Sequence, residues 1–199
     1  VLVGTLYHGN VGSVCRAMAN MGLRELVLAR PRLCDDPSDA SRMAVHAADI
    51  LDARREAATL AEAVADCAFV VGTTARGGLY RQHVKTPRES APELLRLATN
   101  GKVALVFGCE DKGLSNEEIG LCTHLIRIPV HPDYTSLNLA QAVLLCCYEL
   151  YSAVGSYEPP VEKSAPASAA RKLKLAEMWR EMLLRIGFMK EDKADHMMQ

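Results

Sequence analysis

An α/β domain with a mostly parallel sheet is the fold class that this sequence predicts, and three observations predict it. Short apolar runs, "VLVGTL", "LRELVLA", "CAFVVGTT", "KVALVFG" and "HLIRIPV", alternate with longer segments of helical spacing, the pattern of strands joined through crossover helices. Three of these runs end in loops of small or polar residues, "HGNVGS", "GTTARGG" and "GCEDKGLS", and open sheets of this class bind ligands beyond the carboxyl ends of their strands. The 199 residues suit one sizeable core with an appendage, since domains commonly run to about 100–200 residues.

The first run opens the chain inside a strand, so the native N-terminus is expected a few residues upstream. In "GNVGSVCRAMANMGL", Asn10 is placed to cap a helix whose apolar stripe is Val11, Val14, Cys15, Met18 and Met21, with Gly22 at its end. Ser13, Arg16 and Asn20 share the opposite side. Arg16 is either a solvated surface residue or part of an anion site, where backbone donors follow a glycine-rich loop; G-x-x-G alone does not decide. In "ALVFGCEDKGLSNEEIG" a buried strand is followed by Gly108, Glu110 and Gly113. Ser115 with Glu118 then forms a capping box for a short helix. Glu110, between two glycines, is open to water or to a ligand.

After "HLIRIPV", a polar cluster of Tyr134, Thr135, Ser136 and Asn138 runs into a helix over Leu139–Val154. Ser136 and Asn138 could be only its cap. Gln141, Tyr148 and Glu149 are almost the only polar residues of that helix, and a helix apolar all round needs burial on all sides. A second subunit is implied. From Ser156 to Ala167 the chain is rich in Pro, Ser and Ala and reads as a linker. Beyond it, Leu173, Met178, Leu184 and Phe188 among alternating charges predict an amphipathic helix. The expected organisation is thus a domain over 1–155, a linker over 156–167 and a C-terminal helical extension over 168–199.

Composition narrows the function. With 49% hydrophobic and 24% charged residues the chain folds. Its net charge of −1 means that any nucleic-acid contact rests on a local patch. The seven cysteines have neither paired nor zinc-ligand spacing, which fits a reducing cytoplasmic compartment, and the six histidines show no metal-ligand spacing, so no metal is expected. No apolar run reaches the roughly 18 residues of a membrane span. Ser136 with His131 or His124 lacks any G-x-S-x-G context, and "GNVGS" is not the G-x-G-x-x-G of a dinucleotide site.

Taken in order, "GNVGSVCRAMANMGL", "LVFGCEDKGLSNEE" and "IRIPVHPDYTSLNLAQAVLLCCYEL" resemble the three motifs of the SPOUT superfamily of RNA 2′-O-ribose methyltransferases. The TrmJ-like tRNA cytidine/uridine methyltransferase branch is the nearest likeness, through "GNVGSVCRAM", "GTTAR" and a helix ending in "RIGF". The likeness covers roughly residues 1 to 155. Many relatives carry Pro before the first-motif Asn, where this chain has "YHGN", and the chain stops soon after Phe188.

The resemblance implies the SPOUT fold, with a C-terminal trefoil knot, a rare exception to unknotted topology. It implies S-adenosylmethionine as cofactor, held by Thr73, Thr74, Ala75, Phe107, Gly108, Glu110, Gly113, Ile128, Pro129, Ser136, Leu137 and Asn138. Asn10, Arg16, Ser136 and Asn138 would be catalytic, and Arg16, Arg76 and Glu110 would bind substrate. It further implies a homodimer acting on RNA, expected to be tRNA at position 32 of the anticodon loop. An rRNA methyltransferase and a non-catalytic RNA-binding protein are the alternatives. The reaction joins a ribose 2′-oxygen to a sulfonium methyl, so alignment, worth about 7–11 kcal/mol, is the main task. A guanidinium does not give up its proton in proteins, so Arg16 is assigned to hold a phosphate or the developing alkoxide.

Overall fold

The computed structural model describes residues 1–75, 84–155 and 167–188. By contacts the chain divides into two compact units, Val1–Tyr157 and Glu158–Gln199. Among the described residues of the first unit, strands β1 (Leu2–Val3), β2 (Val27–Ala29), β3 (Arg55–Ala57), β4 (Phe69–Thr73), β5 (Val103–Val106) and β6 (His124–Ile126) alternate with helices. These are α1 (His8–Asn20), α2 (Ser38–Ala44), α3 (Ala48–Asp52), α4 (Leu60–Ala63), α5 (Pro87–Ala98), α6 (Asn116–Gly120) and α7 (Leu139–Val154). In the second unit α8 spans Ala169–Arg185, with its first turn capped by Ser168.

All strand pairs described are parallel: β2 lies between β1 and β3, and β4 between β5 and β6. Two backbone hydrogen bonds connect the ladders, from Val3 N–H to the Phe107 carbonyl (2.8 Å) and from Phe107 N–H to the Val1 carbonyl (3.0 Å). The strands therefore run on in the order β3-β2-β1-β5-β4-β6, and the carboxyl ends of β1, β4, β5 and β6 come together. The five apolar runs account for β1, β2, β4, β5 and β6. β3 falls outside them, because in "REA" two of three residues are exposed on the sheet edge and only Ala57 is buried.

The start of α1 differs from the sequence expectation. The helix begins at His8, two residues before Asn10, and Tyr7 occupies the cap position without a side-chain cap bond. The cap comes from elsewhere in the chain: Asp35 Oδ1 accepts the His8 backbone N–H at 2.7 Å and lies 2.7 Å from the His8 ring Nδ1. A carboxylate of the protein thus takes the helix's first donor, and Asn10 is released from capping. The glycines of "GNVG" lie inside the helix rather than in a phosphate-cradling loop. At Gly12 an added Cβ would stand 2.1 Å from the Ala40 carbonyl oxygen, so Gly12 serves the close packing of α1 on α2.

α7 has the bounds that the sequence predicts. Leu139, Val143, Cys146 and Cys147 are buried, and the helix packs against α1 and α5. On its other face Leu144, Leu145, Tyr148 and Val154 are 38%, 40%, 49% and 55% exposed.

Candidate active site

The loops after β4, β5 and β6 enclose a cavity of about 390 Å³, within the range of roughly 300–1,000 Å³ typical of cofactor sites. Thr73 to Ala75 form one wall, Phe107 to Leu114 a second, and Ile128, Val130 and Thr135 to Leu137 a third, with Leu139 and Ala142 of α7 beside them. The second wall is a tight turn. Gly113 N–H donates to the Cys109 carbonyl at 2.7 Å, and a Cβ at Gly108 would lie 2.2 Å from the Gly113 carbonyl carbon. Downstream, the predicted capping box is present: Ser115 Oγ accepts from Glu118 N–H (3.2 Å) and Glu118 Oε2 accepts from Ser115 N–H (2.8 Å). Arg32 steadies the turn from the loop after β2, donating to Cys109 Sγ at 3.0 Å and lying 3.7 Å from Asp111 Oδ1. Burial pushes the Cys109 thiol above its ordinary value, so it is a neutral lining group.

Glu110 projects from this turn into a chain of polar contacts. Its Oε1 accepts from Thr5 Oγ1 (3.0 Å) and Asn10 Nδ2 (2.9 Å), and its Oε2 accepts from Leu6 N–H (3.1 Å). Asn10 Oδ1 accepts from Asn138 Nδ2 at 2.9 Å, and Asn138 Oδ1 accepts from Ala140 N–H at 2.9 Å. Residues 100 and 128 positions apart in sequence are thereby held in one relay. Asn10 donates at one end of its amide and accepts at the other, as does Asn138, so the carboxylate sets the direction of every bond.

The remaining sequence-derived residues fall in several places. Thr73, Thr74, Ala75, Phe107, Gly108, Glu110, Gly113, Ile128, Ser136 and Leu137 line the cavity. Pro129 is exposed and does not line it. Arg76 lies outside the described residues. Arg16 is exposed on α1 and lines neither this cavity nor the cleft next to it. That cleft is bounded by Tyr7, Gly9, Asn10, Ser13, Asp35, Asp39, Arg42, Met43 and Asn138, and shares Glu110, Ser136, Leu137 and Leu139 with the cavity. His131 faces Asp133 and Tyr134 and His124 meets Thr123, so neither forms a dyad with Ser136. Among the described residues no group of His, Cys, Asp or Glu could hold a metal ion. Sequence reasoning missed Thr5, which is fully buried beneath Glu110, and the Asp35 cap. The only signal for Thr5 was a hydroxyl at the end of an apolar strand.

Residues 1–148 match the SpoU rRNA Methylase family. The chain belongs to the SpoU methylase family. A member named tRNA (cytidine/uridine/adenosine-2′-O-)-methyltransferase TrmJ, from Pseudomonas aeruginosa, is 41% identical over 210 aligned positions, spanning 100% of this chain and 81% of the relative. The tRNA (cytidine/uridine-2′-O-)-methyltransferase TrmJ of Escherichia coli is 44% identical over 150 positions, covering 75% of this chain and 61% of its own length. Among solved structures, TrmJ of Z. mobilis superposes with a TM-score of 0.69 at 33% identity, covering 99% of this chain and 84% of that one. In this chain the cavity and the relay lie at the ends of the parallel strands that the three motifs follow.

Proposed function

We propose that this chain is an S-adenosylmethionine-dependent RNA 2′-O-ribose methyltransferase whose substrate is tRNA, at a cytidine or uridine at position 32 of the anticodon loop. The observation that carries the reading is the relay from Thr5 through Glu110 and Asn10 to Asn138, which draws the three motifs together at the rim of one cavity. The lining fits the cofactor: Phe107, Leu114, Ile128 and Leu139 supply apolar surface, and Thr73, Thr74, Glu110, Thr135 and Ser136 supply polar groups. When bound, S-adenosylmethionine supplies an electrophilic methyl on a positive sulfur.

What the chain's own residues contribute is alignment and charge. Glu110 fixes the Asn10 and Asn138 amides, so their orientation requires no reorganisation during the reaction. The Ser136 hydroxyl stands on the wall shared by cavity and cleft and is assigned to orient the 2′-hydroxyl. Arg16 holds a phosphate or the developing alkoxide, with the proton leaving through a neighbouring group or water.

Arg16 lies outside its own subunit's cavity and α7 bears exposed apolar side chains. Both support a two-fold dimer, the commonest closed assembly, in which the first motif of one subunit approaches the cofactor of the other. The same reading divides the chain into a methyltransferase domain over 1–155 and a helical extension over 168–199. It closes the domain with a C-terminal trefoil knot through which α7 is threaded, and assigns the enzyme to the cytoplasm. Incubation with bulk tRNA and rRNA plus labelled S-adenosylmethionine, followed by mapping of the modified ribose, tests it. Label at a tRNA pyrimidine is expected; label confined to rRNA would replace the substrate, and label in neither would refute the activity.

A further inference from the structure

We propose that the cleft between the first turn of α1 and α2 is the subsite for the base of the target nucleotide. This rests on the methyltransferase reading above. The cleft and the cofactor cavity share Glu110, Ser136, Leu137 and Leu139. A ribose presented at Ser136, facing the cavity, therefore leaves its base on the cleft side.

The charges of the cleft argue for a base and against a phosphate. The first backbone donor of α1 is taken by Asp35, Asp39 and Glu110 add two more carboxylates, and among the described lining residues Arg42 alone carries a formal positive charge. Arg42 Nη1 is paired with Asp39 at 3.0 Å. A phosphate would meet three carboxylates and one already engaged cation, whereas a neutral ring meets no such penalty. Its faces have suitable surfaces: Tyr7 is 45% exposed and Met43 47% exposed, and unstacked RNA bases are commonly held on aromatic side chains.

The edge of the ring finds a matched pair. A carboxylate has about four acceptor positions and a guanidinium five donors, so the single contact between Asp39 and Arg42 leaves both with capacity. Asp39 accepts the exocyclic amine of cytosine or the ring N–H of uracil, and Arg42 donates to the neighbouring ring nitrogen or carbonyl. One acceptor beside one donor engages either pyrimidine by the same geometry, and the matching edge of a purine would satisfy it too, so the pair holds a base without choosing among bases.

The test uses a stem-loop RNA carrying the target nucleotide and the same RNA with that base replaced by hydrogen, so the reacting hydroxyl is kept. Tyr7→Ala should lower kcat/KM by about 5- to 150-fold on the intact RNA, the range expected for one base–aromatic stack. Tyr7→Phe should restore it. On the baseless RNA wild type and Tyr7→Ala should be equal, a result that a purely structural role for Tyr7 would not give. Asp39→Ala should lower kcat/KM on cytidine and uridine RNA and leave the baseless RNA unaffected, with S-adenosylmethionine affinity retained, since Asp39 does not line the cofactor cavity. If Tyr7→Ala loses cofactor affinity, the Asp39 pair of measurements decides alone, with Asp39→Asn as the size-preserving variant. Equal losses on intact and baseless RNA, or no loss on either, overturn the subsite while the enzyme's activity stands. A wild-type protein that labels no RNA overturns the methyltransferase reading and the subsite with it.

Discussion

Replacing Glu110 by Gln probes the relay with no change of size. The carboxylate accepts hydrogen bonds from Thr5, Leu6 and Asn10, with a longer one from the Cys109 thiol at 3.8 Å, and an amide has one oxygen to offer where there were two. Two arrangements are open. If the amide oxygen stays toward Thr5 and Asn10, its NH₂ faces the Leu6 N–H and two donors confront each other. If the amide turns over, Thr5 accepts instead of donating and Asn10 flips. Asn10 then presents its NH₂ to that of Asn138, so Asn138 flips as well. The mismatch arrives at the Ala140 N–H and the α7 cap is lost. The first outcome leaves a part-buried donor unpaired, at about 1–3 kcal/mol, and the second removes an N-cap, at roughly 0.5–2 kcal/mol. Glu110→Gln should therefore lose about 0.5–3 kcal/mol, depending on the route.

Urea denaturation of Glu110→Gln, Asn138→Ala and the double variant separates these routes. Without Asn138 the reversed relay ends at Asn10 with no mismatch to pass on, so Glu110→Gln should cost less in the Asn138→Ala background than in wild type. A coupling of about 0.5 kcal/mol or more is expected for residues of one network. Strictly additive effects, or a Glu110→Gln protein as stable as wild type, would refute the directional relay. Methyl transfer should fall in the single variant, since a misplacement of about 1 Å costs on the order of 100-fold in rate.

Other outcomes follow from particular contacts. Arg16→Ala should abolish methyl transfer and leave S-adenosylmethionine affinity by calorimetry nearly unchanged, because Arg16 does not line the cavity; a large loss of affinity would put it in the wrong place. Gly12→Ala drives a methyl to 2.1 Å from the Ala40 carbonyl oxygen, a backbone atom that no rotamer change can move, so a loss of about 1–3 kcal/mol is expected and an unchanged urea midpoint would contradict it. Burial pushes the thiols of Cys15 and Cys147 up to about 11 and that of Cys146 up to about 12. The folded state then holds protons that the unfolded chain releases near its ordinary thiol pKa of about 8.5. Stability is fully present below that pH and falls as pH rises toward 11, by up to about 1.4 kcal/mol per pH unit for each thiol. Urea midpoints that match at pH 8 and pH 10 would count against it. Leu145→Glu puts a charge on the outer face of α7, where Leu145 is 40% exposed, and should reduce both association in sedimentation and activity; wild-type protein that stays monomeric at micromolar concentration with full activity would sink the dimer.

The parts of the fold that the sequence displays are those determined locally or by burial. β1, β2, β4 and β5 are largely buried and read as apolar runs, and the Ser115–Glu118 capping box spans three residues and is legible from its spacing. β3 carries one buried residue on an edge and leaves no such trace. The α1 cap fails for a different reason. Asn10 is a good capping residue by type, but Asp35 reaches the helix from 27 positions away, and no local pattern reports a partner at that range. The site's named residues came from motif likeness, while the bonds that join them span 100 positions or more and Thr5 had no motif to announce it.

Asn138 shows why the structural and functional readings of the polar cluster before α7 are not alternatives. Its Oδ1 caps the helix at Ala140 while its Nδ2 holds Asn10, so one amide does both, and neither contact is free to vary alone. Anything that frays the first turn of α7 releases Asn138, and then Asn10 loses the partner that holds its carbonyl end in place. The apolar helix and the polar mouth are therefore coupled. Covering α7's exposed face with a second subunit would stabilise its first turn and, through one side chain, the geometry of the relay. Dimerisation would then support catalysis even in the half of the site that the partner never touches.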